Sequence, residues 1–274
     1  MDPSLTFSNR LEQAWKTANS LLCVGLDPVP DRLPQGLRRD NAAIETFCQE
    51  VVAATGDLVC AFKPQIAHFS AIGAESELER VIHYIHRHFP QTPIILDAKR
   101  GDIGSTAARY AQECFERYQA DAVTVNPYLG TESLEPFLAY RDKGVVVLCR
   151  TSNPGSDWVQ NYPSKDPLYL RVARQAKRWN EAGNVMLVVG ATYPEALAAV
   201  RSEVGAMPLL VPGVGAQGGD LQAVMQAGSH EGKGLVISSS RAILYASQGA
   251  DFQLAARAAA ERLRSQINAC RVTD

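Results

Sequence analysis

The amino-acid sequence predicts an α/β fold, a (β/α)8 TIM barrel built as a single domain over residues 1–274 with a short N-terminal helix. Three observations carry this. Short apolar runs alternate with stretches of helical period eight times along the chain, and strands joined by helical crossovers pair in parallel. Eight units favour a closed barrel over an open sheet, and 274 residues suit a barrel of about 250. Most of the apolar runs end on polar or glycine-rich sequence, where barrels of this kind place their functional loops.

In order, residues 6–18 form an amphipathic helix with Phe7, Leu11, Ala14 and Trp15 on one face. The first strand covers 21–26 and ends on Asp27-Pro28. A Pro- and Arg-rich loop runs to about Asp40, and 42–54 is helical. The second strand, 58–62, ends on Lys63-Pro64, and 75–89 is the next helix. The third strand, 94–96, follows Pro93 and ends on charge. Gly101 and Gly104 let the chain turn, and Ser105 or Thr106 is placed to cap a helix running to 118. The fourth strand, 122–125, ends on Asn126-Pro127 and leads to a helix over 132–140. The fifth, 144–149, ends on Arg150-Thr151-Ser152-Asn153-Pro154-Gly155, with a long helix at 168–181. The sixth, 185–189, ends on little chemistry and precedes a helix at 194–202. The seventh, 209–211, ends on Pro212-Gly213-Val214-Gly215-Ala216-Gln217-Gly218-Gly219, with a short helix at 220–227. The eighth, 235–237, ends on Ser238-Ser239-Ser240-Arg241, and a helix over 250–268 closes the chain.

The formal net charge is −2 with 20% charged residues, so no strong field recruits nucleic acid or an anionic membrane. Six cysteines stand far apart with no Cys-x-x-Cys, the usage of reduced buried thiols in a cytoplasmic protein. Residues 1–22 lack the apolar core of a signal peptide, and no later run reaches membrane-span length. His83, His86 and His88 share one helix without an acidic or cysteine partner nearby in sequence, which reads as a solvated face rather than a metal site.

The chemistry gathers at the strand ends. Asp97 and Lys99 lie two apart, so an extended backbone points them to one face. Asp102 follows in the turn, and Lys63 ends the neighbouring strand. Two carboxylates and an ammonium within six residues are costly to desolvate. A structural ion pair is the plain alternative to an active site. Gly213, Gly215, Gly218 and Gly219 offer backbone N–H groups before a helix, and Arg241 adds a charged fork at the next strand end. Together they suit a phosphate.

Asp97-Ala98-Lys99-Arg100-Gly101-Asp102-Ile103-Gly104-Ser105-Thr106, Phe62-Lys63-Pro64-Gln65 and Pro212–Gly219 resemble the orotidine 5′-phosphate decarboxylase family, in its longer bacterial subgroup. The resemblance implies loss of CO2 from orotidine 5′-phosphate to give UMP, without metal or cofactor. Residue by residue it implies a catalytic tetrad of Lys63, Asp97, Lys99 and Asp102. It implies that Asp27 and Lys63 hold ribose hydroxyls, Ser152 the pyrimidine, Pro212 the loop at the base, and Gln217 and Arg241 the phosphate. Asp102 and Thr106 would reach into a partner subunit, giving a homodimer with shared active sites. The residue types suit the reaction: without a cofactor to act as electron sink, a fixed ammonium must meet the carbanion and then protonate it, and Lys99 can do both. Three other readings stay open at this point. One is a metal-dependent sugar-phosphate decarboxylase of the same superfamily, another a Schiff-base aldolase using Lys63 or Lys99, and the third a non-catalytic phosphate binder on a barrel.

Overall fold

The computed structural model describes residues 6–37, 40–214 and 219–271. Helix α1 (Phe7–Thr17) turns Phe7, Leu11, Ala14 and Trp15 inward. It is followed by β1 (Leu22–Leu26), α2 (Asn41–Thr55), β2 (Ala61–Pro64), α3 (Ile66–Ser70) and α4 (Glu75–His88). Next come β3 (Ile95–Arg100), α5 (Gly104–Gln112), β4 (Ala122–Val125), α6 (Glu135–Leu138), β5 (Gly144–Arg150), α7 (Asp157–Gln160) and α8 (Leu168–Trp179). The chain ends through β6 (Val185–Val189), α9 (Pro194–Val204), β7 (Leu209–Pro212), α10 (Leu221–Gly228), β8 (Leu235–Ser239), α11 (Arg241–Leu244) and α12 (Phe252–Ala269).

The eight strands pair in the order β2-β1-β8-β7-β6-β5-β4-β3, every pair parallel. Parallel bridges Phe62↔Ile94 and Gln65↔Asp97 join β2 to β3 and close the ring. This is the predicted (β/α)8 barrel. Strands buried on both faces read as near-continuous apolar runs, and β1, β4 and β6 are buried at every residue. At the N-terminal end of the barrel Arg10 of α1 pairs with Asp121, which also accepts the Ile94 N–H at 2.8 Å. Among the described residues no helix is long and apolar enough to cross a membrane.

Several boundaries differ from expectation. β2, β3, β5, β7 and β8 run one to four residues further than their apolar runs. The ladder is made by backbone, so it continues into the polar residues of the site. Ser105 and Thr106 do not cap α5. The turn is made earlier, at Ile103 and Gly104 (φ +56°), with the Asp102 carboxylate accepting the Ile103 N–H at 2.8 Å. The helix expected over 132–140 is a 3-10 turn, Thr131–Ser133, followed by the single turn α6. Pro136 has no N–H to give and belongs in the first turn of a helix. His86 does have an acidic partner, Asp121, at 3.3 Å. Tertiary folding supplies this residue from 35 positions away. All six cysteines are free, five of them buried.

Candidate active site

A cavity of about 930 Å³ opens at the C-terminal ends of the strands. Its floor holds a charged triad. Asp97 of β3 accepts from Lys63 of β2 at 2.9 Å through one oxygen and from Lys99 at 2.7 Å through the other. Lys63 and Asp97 are buried, whereas the Lys99 side chain is 48% exposed towards the cavity. Burial works against the charge of Asp97, but the ammoniums of Lys63 and Lys99 overcome it and hold the carboxyl well below its ordinary range. Burial likewise opposes the charge of Lys63. Asp97 and Asp27 outweigh it and raise that lysine above its ordinary value. Both groups are therefore ionised at neutral pH.

The lysine of β3 reaches Asp97 differently from the way an extended strand would bring it. Lys99 has φ +46°, in the left-handed region, and the β3–β4 register shifts between Leu96 and Arg100. Thr124 of β4 holds this bulge. Its hydroxyl accepts the N–H groups of Ala98 and Lys99, both at 2.9 Å, and donates to Asp97 at 2.9 Å. One donor and two lone pairs are all that a hydroxyl has, so Thr124 is fully used. The sequence reading missed it. The signal available was a single hydroxyl inside the apolar run Ala122-Val123-Thr124-Val125.

Asp27, Ser152, Pro212 and Arg241 all line the same cavity. One carboxylate oxygen of Asp27 is buried without a hydrogen-bond partner among the described residues. Tyr245 fixes its segment, donating to the Asp27 carbonyl at 3.1 Å and accepting the Val29 N–H at 2.8 Å. Gly213 takes φ +95° at the mouth, a conformation that suits glycine. Gln217, with Gly215 and Gly218, lies outside the described residues. Asp102 and Thr106 are not part of the cavity wall of their own chain among the described residues. Thr106 is exposed, and Ile103 between them is 58% exposed. The expected tetrad is thus a triad within one chain. The end of β6, chemically blank in sequence, carries Gly190, Thr192 and Tyr193 against the loop after β5. No three His, Cys, Asp or Glu side chains cluster as a metal site among the described residues.

The chain resembles known proteins in sequence and fold. A family model described as the orotidine 5′-phosphate decarboxylase / HUMPS family matches residues 20–257. The chain is 58% identical over 267 residues to orotidine 5′-phosphate decarboxylase of Cupriavidus necator, covering 96% of this chain and 98% of that one. It superposes on the structure of Leishmania donovani OMP decarboxylase with a TM-score of 0.85 at 41% identity, covering 97% of this chain and 99% of the other. Against Leishmania donovani UMP synthase the TM-score is 0.87 at 42% identity, with 97% of this chain and 56% of that chain covered. The chain belongs to the orotidine 5′-phosphate decarboxylase / HUMPS family.

Proposed function

We infer that this chain decarboxylates orotidine 5′-phosphate to UMP and CO2, the last step of de novo pyrimidine nucleotide synthesis. The observation that carries the reading is the Lys63–Asp97–Lys99 triad on the floor of the barrel cavity, in a chain of this family. The bond from C6 to the carboxylate carbon breaks, its electron pair stays on C6, and CO2 leaves. The Nζ of Lys99 meets the developing charge and gives C6 a proton. Asp97 holds the Lys99 ammonium in place until then. A unit charge pair at about 4 Å is worth roughly 4 kcal/mol at an effective dielectric of 20. The rest of the barrier reduction comes from preorganised neighbours and from binding the remote phosphate.

Asp27 and Lys63 take the ribose hydroxyls, supported by their place in the cavity lining and by an Asp27 oxygen that has no hydrogen-bond partner among the described residues. Ser152 reads the pyrimidine, Pro212 shapes the wall beside it, and Arg241 with Gln217 binds the phosphate. Asp102 and Thr106 complete the site of a second copy in a homodimer. The exposure of Ile103 between them, and of Tyr128 and Leu129 in the turn after the neighbouring strand β4, supports such a face. The protein works in the cytoplasm, consistent with six free cysteines. A Schiff-base role for Lys63 is disfavoured because its carboxylate partners keep it protonated. A metal-assisted route needs carboxylates free for the cation, and Asp97 is engaged by two lysines.

Orotidine 5′-phosphate consumption, followed by ultraviolet absorbance with and without EDTA, tests the reaction. Turnover insensitive to EDTA is expected, and EDTA inhibition or no turnover would overturn the reading. Mixing inactive Asp102→Ala with inactive Lys63→Ala subunits tests the shared site. Recovery of activity is expected, and none despite proven subunit exchange would refute it.

A further inference from the structure

Ser152 sits on an irregular loop, and a contact on a loop is only as precise as its supports. Those supports come from two directions. Arg150, the last residue of β5, is buried, and its guanidinium donates to the Ser156 hydroxyl at 2.5 Å and the Asp157 carboxylate at 2.6 Å. The same group lies over the ring of Tyr193, 3.8 Å from its centroid. Beneath the loop, Gly190 leaves no room for a side chain. A Cβ there would fall 2.7 Å from the Cα of Ser152 and 2.8 Å from its nitrogen. Thr192 adds a hydrogen bond to the Ser152 carbonyl at 3.3 Å.

We propose that Arg150, Gly190 and Tyr193 form a seat for Ser152, acting as positioning residues that set affinity for the base half of the nucleotide and leave the phosphate half untouched. The proposal rests on the reading of Ser152 as the pyrimidine contact. The planar fork of arginine is what bonds Ser156, Asp157 and, at 3.4 Å, Gln160 and stacks on Tyr193 at once; a lysine at 150 keeps the charge but loses that geometry. Among the described residues Arg150 and Tyr193 make no hydrogen bond or ring contact with Arg241 or Gly213, and the seat meets the end of β7 only through Ala191, whose N–H donates to the Pro212 carbonyl at 2.9 Å.

The test is calorimetric titration of two probes, UMP and ribose 5-phosphate, into the wild type, Arg150→Lys, Gly190→Ala, Ser152→Ala and the Arg150→Lys/Ser152→Ala double variant. UMP affinity is expected to fall about 10-fold in each single variant, the size of one lost hydrogen bond to a well-placed group. Ribose 5-phosphate affinity should stay within about twofold, and the double variant should bind UMP about as well as Ser152→Ala alone. Equal losses for both probes, additive losses in the double variant, or unchanged UMP binding would each overturn the seat. If Arg150→Lys does not fold by circular dichroism, Gly190→Ala decides the matter from β6. Failure of the underlying reading looks different: Ser152→Ala would then leave UMP binding unchanged, and the seat would fall with it.

Discussion

Thr124→Val removes one hydroxyl from beneath Lys99, the proposed proton donor, at almost constant volume. Three hydrogen bonds go with it, two from the Ala98 and Lys99 N–H groups and one to the Asp97 carboxylate. Each N–H left without a partner costs about 1 kcal/mol or more, and a hydrogen bond to a charged group about 1.5–3 kcal/mol. Lys99 also sits at φ +46°, a conformation costing of order 1–3 kcal/mol and kept only where the surroundings over-determine it. With Thr124 1% exposed, replacement by bulk water is poor, and a loss of roughly 3–5 kcal/mol follows. Urea unfolding should show that loss. The rate constant kcat should fall about 10- to 100-fold as Lys99 drifts from its aim, since even small misplacement is costly at a reacting centre. Thr124→Ser keeps the hydroxyl and should recover most of both. A Thr124→Val protein within about 0.5 kcal/mol of wild type and within twofold in kcat would refute the claim that this hydroxyl sets the bulge and aims Lys99.

Lys99→Ala should abolish turnover while UMP binding stays measurable by calorimetry, and near-normal turnover would remove Lys99 from the proton-donor role. For pH, Asp97 is held below its ordinary range, so its stabilisation is complete above about pH 4 and fades as pH falls through its lowered folded value; Lys63 is raised, so its share is complete below about pH 10 and fades as pH rises through its raised folded value. Unfolding free energy should therefore take no slope from this pair between about pH 5 and 9, and Asp97→Asn should flatten the acid limb of a urea-midpoint profile and, by removing the charge that raises Lys63, weaken the alkaline limb too. Arg201 is buried, its charge met by the carbonyls of Gly228, Met207, Gly234 and Gly205, and burial draws it down to about 10. Arg201→Met should cost roughly 2–4 kcal/mol in urea with kcat unchanged, because those carbonyls precede β7 and β8 at the end opposite the cavity.

The eight-fold alternation and the placing of polar residues after each apolar run were legible because both are periodic and local. Asp97, Lys99 and Lys63 could be singled out because charge at the end of a buried strand is chemically expensive wherever the chain goes. Thr124 was illegible by the same logic, since one threonine in a strand is unremarkable until its hydroxyl is seen beneath a bulge. Arg150 and Gly190 needed β5 and β6 side by side, and the link from His86 to Asp121 needed a helix laid against a neighbouring strand. The reading of Ser105 and Thr106 as caps failed because the local signal lost to a turn made earlier by Asp102, Ile103 and Gly104. By itself, then, the sequence determined the barrel and marked which charges end its buried strands, because periodicity and charge type are written residue by residue. Only the tertiary structure decided which carboxylate meets which ammonium, how Lys99 is bent towards Asp97, and what holds Ser152, because those depend on register and packing between strands far apart in the chain.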